Sequence, residues 1–422
     1  MKLHNEDKNI RMHRMDGMIG LELETHRIDR DGRLAATPHP FSGNKCIDRD
    51  FSEDQIEINT LPEIDEEQVM KSLDDKIRHV QKTLKERGEL LWPFSNPPYV
   101  ESENDIKIAQ YYGEEAGYTE YREHLARRYG KYKMLYSGIH FNYSFSEDLI
   151  RRNAQLDGAE DFSEYKDRFY LNLAERTIEF SWVIVALLAA SPVADNSFYE
   201  SGCGGSTIFT GSASLRCSEH GYWNQFTPVL SYESIDDYVK SISRYVECGL
   251  LIEERELYYP VRLKSTGKYS IDGLIRNGVN HIELRMIDLN PFAADGIDIR
   301  DATFIKLFII WLASIDGEPL TVPQQVQAIQ NFKNSAAYDW HTAVVTDTSG
   351  HADSLEVHIK RVLERMTDFY SEENEQVKDV LNYQWSKINS KANRYAVRVR
   401  EEYGKDFMGE GLKLALKKQE LE

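Results

Sequence analysis

The sequence predicts an α+β fold built on a largely antiparallel sheet. Short stretches of strict apolar–polar alternation recur at wide intervals along the chain. Helical stretches fall between them without the steady β–α–β rhythm of a parallel sheet, and beyond Ile299 the chain becomes mostly helical.

The strand-rich start runs from about Met18 to Pro62. In "MIGLELE", Ile19, Leu21 and Leu23 share one face and Glu22 and Glu24 the other, because residues two apart on a strand point the same way. In "DQIEINT", Ile56 and Ile58 oppose Gln55, Glu57 and Asn59. The stretch "EEQVMKSLDDKIRHVQKTLKERG" then places Val69, Leu73, Ile77, Val80 and Leu84 at helical spacing and stops at Gly88, a C-terminal cap. "LWPFSNPPY" is a proline-rich loop, and residues 111–132 read as loop and helix. "YSGIHFNYSF" is a strand in which Ile139, Phe141 and Tyr143 alternate with His140, Asn142 and Ser144. Helices follow from about 160 to 190. "SGCGGSTIFTGS" is a glycine-rich loop without the GxxxxGK[ST] order of a phosphate-binding loop. In "HIELRMIDLNPF", Ile282, Leu284 and Met286 oppose His281, Glu283 and Arg285. The helix of "FIKLFIIWLASI" and a charged tail from Asp353 complete the chain.

Composition narrows the function. Of 422 residues, 41% are hydrophobic and 29% charged, as in globular proteins that bury a large core. A net charge of −19 argues against nucleic acid as a partner, since phosphate backbones need a basic surface. The apolar run "FSWVIVALLAASPVA" is shorter than the ~20 residues a membrane span needs, and Pro192 stops it. The polar N-terminus is no secretory signal, and the four cysteines, Cys46, Cys203, Cys217 and Cys248, have no paired spacing. A reducing cytoplasm is the expected home.

Any one of the four strands, taken alone, reads more readily as a wet sheet face. Together they carry Glu22, Glu24, Glu57, Glu283 and His140, with Asp50 just upstream of one strand, rather than the mixed signs of a solvated surface. Clustered carboxylates stay ionised only around cations. Oxygen-rich ligation with one imidazole suits Mg²⁺, or Mn²⁺, better than zinc. Arg122, Arg216, Arg262 and Arg285 surround these motifs, and a guanidinium grips phosphate or carboxylate with two parallel hydrogen bonds. Arg285 shares its strand face with Glu283. Metal ions with arginines describe a site for a polyphosphate and an acidic substrate.

The ordered motifs "GLELETHRIDRDGRLAATPHP", "DFSEDQIEINT", "LWPFSNPPY", "YREHLARRYG", "SGIHFNYS", "SLRCSEHGY" and "VNHIELRMIDLNPF" resemble those of the bacterial glutamate–cysteine ligases, including the ligase half of bifunctional glutathione-synthesising enzymes. The resemblance spans residues 18–315. It implies a glutamine-synthetase-like curved sheet forming a funnel backed by helices. It also implies ATP-dependent joining of the glutamate γ-carboxylate to the amine of cysteine through a γ-glutamyl phosphate, the first step of glutathione synthesis. Carried over by motif, Glu22, Glu24, Asp50, Glu57, His140 and Glu283 are the metal ligands, Arg285 and Glu283 act in catalysis, and Phe51, Tyr121, Arg122, Arg216, Tyr222, Tyr258 and Arg262 line substrate or nucleotide. The expected organisation is one elaborated ligase domain over 1–422, with a helical C-terminal part from 316. The length leaves no room for an ATP-grasp domain, so the second step of glutathione synthesis is not expected here.

Two residues depart from the family pattern. Met134 stands where Gln is usual, and Tyr136 where an aliphatic residue is usual. The departures imply either harmless repacking or a changed amine acceptor. A metal-dependent phosphohydrolase would use a similar carboxylate–histidine set, but the ordered motifs do not favour it.

Overall fold

The alternating residues 19–24 lie in the longest strand, β1 (Met18–Ile28), and the rest of the sheet is assembled around it. The computed structural model describes residues 1–199, 204–267 and 269–421. Ser201–Cys203 of the glycine-rich stretch, and with them Cys203, lie outside the described residues.

Six further strands join β1: β2 (Ile47–Arg49), β3 (Gln55–Asn59), β4 (Leu90–Leu91), β5 (Ile139–Ser144), β8 (Val261–Lys264) and β9 (His281–Ile287). Between β5 and β8 in the chain, β6 (Val193–Asp195) and β7 (Thr207–Phe209) form a separate ribbon. A second ribbon, β10 (Val344–Thr346) and β11 (Ala352–Ser354), interrupts the helical C-terminal part. The main sheet runs β2-β3-β1-β5-β9-β8, with β4 beside the end of β1. Every pairing in it is antiparallel, and the sheet stays open because β2 and β8 do not pair with each other.

One face of this sheet is oily and carries helices. Ile19, Leu21, Leu23, Ile56, Ile58, Ile139, Phe141, Tyr143, Ile282, Leu284 and Met286 are all buried there, as the period-2 pattern requires. The long helix Phe162–Leu188 packs across β8 and β9 and is itself crossed by helices Ile299–Ser314 and Val322–Ser335. Helix Ile299–Ser314 is buried nearly all round, which is why its sequence shows no polar stripe. Helix Glu66–Glu86 buries Val69, Leu73, Ile77, Val80 and Leu84. It is capped at its start by the Asp65 side chain, and the chain leaves it at Gly88, whose φ of +73° only glycine adopts without strain.

The C-terminal helices share the same core. Lys387, fully buried, donates to Asp301 Oδ1 at 2.8 Å, and the Tyr395 hydroxyl donates to Asp301 Oδ2 at 2.5 Å. A lone buried charge costs several kcal/mol, so the pair holds these helices in one register against helix Ile299–Ser314.

Candidate active site

The polar face of the sheet collects the residues that alternation singled out. Across β1, β3 and β5, Glu22 lies opposite both Asn59 and His140, and Glu24 opposite Glu57. Across β5, β9 and β8, Glu283 lies opposite both Asn142 and Arg262. The register is not uniform. Ile139 faces Ile287 while Phe141 faces Leu284, so β9 has one extra residue opposite His140. This bulge falls at Arg285 and Met286, and a bulge re-aims a side chain locally. Arg285 shares its strand face with Glu283, and its Nη1 donates to Glu283 Oε2 at 2.8 Å.

Two electrostatic centres result. In the first, His140 Nδ1 lies 2.9 Å from Glu22 Oε2, and Asn142 Nδ2 donates to Glu22 Oε1 at 3.1 Å. Glu22 is held below the ordinary carboxylate range by His140, against burial and the nearby charge of Glu283. The imidazole is pushed down, chiefly by burial and then by Arg285, so it is neutral at pH 7. With Nδ1–H given to Glu22, the bare Nε2 faces Glu24 Oε1 at 3.5 Å. Burial and then Asp50 push Glu24 well up, while burial, Glu22 and Asp50 push Glu57 up to about 8. Asn59 donates to Glu57 at 2.6 Å.

In the second centre Glu283, fully buried, is ringed by cations. Lys264 Nζ lies 3.0 Å from Oε1, and Arg262 Nη1 lies 3.8 Å from Oε2. With Arg285 they hold Glu283 well below the usual range despite its burial.

These donors fit a divalent cation. Glu22, His140 and Glu283 each present a ligand atom within 4.8 Å of the others. Burial and neighbouring carboxylates disfavour the charge of Glu24 and Glu57 more than the nearby Arg216, Arg285 and Lys264 favour it, a mismatch that a hard divalent ion would remove. A stability test follows. A carboxyl raised in the folded state stabilises the fold below its unfolded value and loses that contribution as pH rises through the folded value. The melting temperature of the metal-free wild type relative to that of Glu57→Gln, both in EDTA, is therefore expected to fall between pH 5.5 and pH 8. Scanning calorimetry of the two proteins checks it, and a difference that stays constant or moves in favour of the wild type contradicts it.

The remaining predicted residues divide. Phe51, 2% exposed, packs in one apolar cluster with Met134, Leu125 and Leu135, bordered by Tyr121, Tyr222 and Tyr258. Tyr222 and Tyr258 meet edge to face at 4.5 Å, and with Arg216 and Arg285 they border a 60 Å³ cavity. Tyr121, Arg122 and Glu57 line an open cleft of 1240 Å³. The arginines do more structural work than their motifs suggest. Arg122 Nε donates to the Asp50 carbonyl and its Nη1 to Tyr118 O at 3.0 Å. Arg216 Nη2 donates to Arg285 O at 2.7 Å, crossing Gly138, where a Cβ would stand 2.6 Å from the guanidinium carbon. Arg262 Nη2 reaches Leu257 O at 3.3 Å. Asp50 is partly exposed, and its backbone carbonyl accepts from Arg122. Tyr136 belongs to a neighbouring cluster with Phe198, Ala194 and Leu215. Lys264, the direct partner of Glu283, is a site residue the motifs did not name. It stands two residues from Arg262, so the alternation rule applied to β8 finds it.

The chain matches the family model described as glutamate-cysteine ligase over residues 2–250 and 246–335. The glutathione biosynthesis bifunctional protein of one strain of Listeria monocytogenes is 39% identical over 78% of this chain and 44% of its own length. That of a second strain is 34% identical over 95% of this chain and 54% of its own. The chain thus spans about half the length of the curated relatives it matches. Among solved structures, a bifunctional glutathione synthetase from Pasteurella multocida superposes with a TM-score of 0.86 at 26% identity, over 100% of this chain and 55% of that one. A glutamate–cysteine ligase from Francisella tularensis superposes with a TM-score of 0.85 at 22% identity, over 96% and 89%. The open antiparallel sheet with its carboxylate face is a glutamine-synthetase-like fold, and the chain belongs to the glutamate–cysteine ligase family.

Proposed function

We propose that this protein joins the γ-carboxylate of glutamate to the amine of L-cysteine, splitting ATP to ADP and phosphate through a γ-glutamyl phosphate. The observation that carries this reading is the meeting of two centres on one sheet face. The ligand set of Glu22, Glu24, Glu57 and His140 abuts the cationic set of Arg285, Lys264 and Arg262 around Glu283, beside an aromatic pocket. A site that must bring a carboxylate to a triphosphate needs fixed positive charge where the two anions meet. It also needs carboxylates to hold the counter-ions of the nucleotide.

A carboxylate is a poor electrophile, so the γ-carboxylate first takes the terminal phosphoryl group and ADP leaves. Arg285, bonded to Glu283, offers the charge that offsets the approach of the two anions. Lys264 and Arg262 keep Glu283 ionised and fixed. Glu22, Glu24, Glu57, His140 and Glu283, with Asp50 at the rim, would hold Mg²⁺ or Mn²⁺, which supplies Lewis-acid neutralisation of the phosphates when bound. The cysteine amine then attacks the acyl carbon and phosphate departs. No side-chain nucleophile is required. Cys217 is buried with its thiol pushed up to about 12, the reverse of an activated nucleophile.

The acceptor reading rests on Phe51, Tyr121, Tyr222 and Tyr258 around the cluster that contains Met134. Met134 offers no amide to a polar acceptor, so selection falls to size and ring contact. Such pockets discriminate by only about 1–3 kcal/mol per methylene. In a panel of amines at fixed glutamate and ATP, read by ADP release and product mass, cysteine is expected to give the highest kcat/KM. 2-Aminobutyrate is expected to be a measurable, poorer substrate, and aromatic and basic amines are expected to fail. A larger amine that outperforms cysteine would overturn the acceptor assignment and mark Met134 as the residue that changed it. ADP release indifferent to every amine would favour a phosphohydrolase. A cytoplasmic setting belongs to the same reading. Cys46, Cys217 and Cys248 are free, and no helix among the described residues is long and apolar enough to cross a membrane.

A further inference from the structure

Against the aromatic pocket lies a polar bracket built on two buried side chains, Glu256 and Asn224. Glu256 is fully buried. Its Oε1 accepts from the Tyr129 hydroxyl at 2.7 Å, and its Oε2 accepts from the backbone N–H of Ile252 at 2.7 Å. Arg128 Nη1 stands 3.3 Å from Oε1, and His124 Nε2 stands 3.5 Å from Oε2. The bracket continues through Asn224, itself 7% exposed. Asn224 Nδ2 donates to the Glu256 carbonyl at 2.8 Å and to the Tyr129 hydroxyl at 3.2 Å. Asn224 Oδ1 accepts from the backbone N–H of Tyr258 at 2.9 Å.

Three separate pieces of chain are joined in this way. Helix Gly117–Tyr129 carries Tyr121 and Arg122 to the site. The segment 222–226 carries Tyr222, and the loop 250–258 carries Tyr258. None of the three is a strand of the main sheet, so the sheet's register does not fix their mutual distance. The rings sit on the bracket in a row, with Tyr129 edge-to-face to Tyr258 at 5.4 Å and Tyr258 edge-to-face to Tyr222 at 4.5 Å.

We propose that Glu256, Asn224 and Tyr129 are positioning residues that set the width of the amine-acceptor pocket by locking these three segments together. The proposal rests on the ligase reading above and extends it to residues that touch no substrate. A bond network buried from water is stiff, because each unmade bond leaves a desolvated group behind. Selection by a pocket that works through size requires such stiffness. Glu22, Glu24, Glu57, His140, Glu283 and Arg285 stand on β1, β3, β5 and β9, so loosening the bracket should leave them in place.

Tyr129→Phe deletes one hydroxyl and keeps the ring, and Asn224→Ala opens the link to Tyr258. The expected result for each is a rise of about fivefold to thirtyfold in KM for the amine, since one to two lost hydrogen bonds are felt only there. KM for glutamate and for ATP should stay within twofold, as should kcat at saturating amine. Discrimination between cysteine and 2-aminobutyrate should narrow. Glu256→Gln, which turns an NH2 onto one of the hydrogen-bond donors and removes the charge facing Arg128, should be at least as severe. Equal rises in all three KM values, a fall in kcat alone, or unchanged amine KM would overturn the proposal. Amide hydrogen exchange gives a readout that does not depend on turnover. The Ile252 and Tyr258 amides should exchange at least tenfold faster in Tyr129→Phe and Asn224→Ala, with β1 and β9 unchanged. If the wild type ligates no amine, the ligase reading fails, yet unchanged exchange at those amides is what would overturn the bracket.

Discussion

Glu22→Gln is expected to reduce ligation on the order of a thousandfold while the metal-free protein keeps its fold. Glu22 is the carboxylate best poised to meet a cation, since His140 and Asn142 already hold both its oxygens in place and keep it ionised. The amide is the same size and can still accept one of those two hydrogen bonds. What it removes is the charge, in a centre where neutralising the phosphates is worth several kcal/mol of transition-state stabilisation. The neighbouring Glu283→Gln is a worse probe of the same idea. It would strand Arg285, Lys264 and Arg262 together without their shared counter-charge, so lost activity would be entangled with lost stability. Activity in Mg²⁺ and thermal unfolding in EDTA, measured side by side, check the expectation. A Glu22→Gln enzyme within tenfold of wild type would remove Glu22 from the metal site.

Arg285→Lys is expected to lose about a hundredfold to a thousandfold in kcat, with the KM for amine changed only a few-fold. A lysine would still offset Glu283, so a purely structural partner would tolerate the exchange. The guanidinium, however, is planar and two-pronged, and one donor spent on Glu283 leaves others that can serve a second anion. An ammonium has neither the reach nor the fork to serve both. Removing one preorganised donor to developing charge typically costs two to three powers of ten, which sets the size of the expected loss. Steady-state kinetics with each substrate varied in turn would show it. A near-normal kcat would mean that Arg285 only neutralises Glu283.

What the sequence disclosed follows from the period of its strands. Two-residue alternation put Glu22, Glu24, Glu57, His140, Glu283 and Arg285 on polar faces, and the oily faces of the same strands are the ones buried against helices. Alternation says nothing about which strands are neighbours. The pairing of Glu22 with His140 joins residues far apart in the chain, and register of that kind is set by long-range packing. The bulge at Arg285 is likewise silent in sequence, because one extra residue on β9 is visible only against its partner. Lys264 was legible in principle from its spacing to Arg262. The ribbons β6–β7 and β10–β11 were not, since three-residue strands of mixed polarity carry too little pattern. Nor could the sequence disclose that Arg122 and Arg216 spend donors on backbone carbonyls, because those contacts depend on the loops that approach them.

The chemistry at the centre of this account is transfer of a phosphoryl group to the γ-carboxylate of glutamate before the amine attacks. Glutamate labelled with ¹⁸O in that carboxylate tests it most directly. If the carboxylate takes the phosphoryl group and phosphate then leaves from the acyl carbon, one labelled oxygen departs with each phosphate. The account predicts singly labelled inorganic phosphate in step with γ-glutamyl product, read by mass spectrometry. Unlabelled phosphate released in step with product, or labelled instead from ¹⁸O-water, would contradict it.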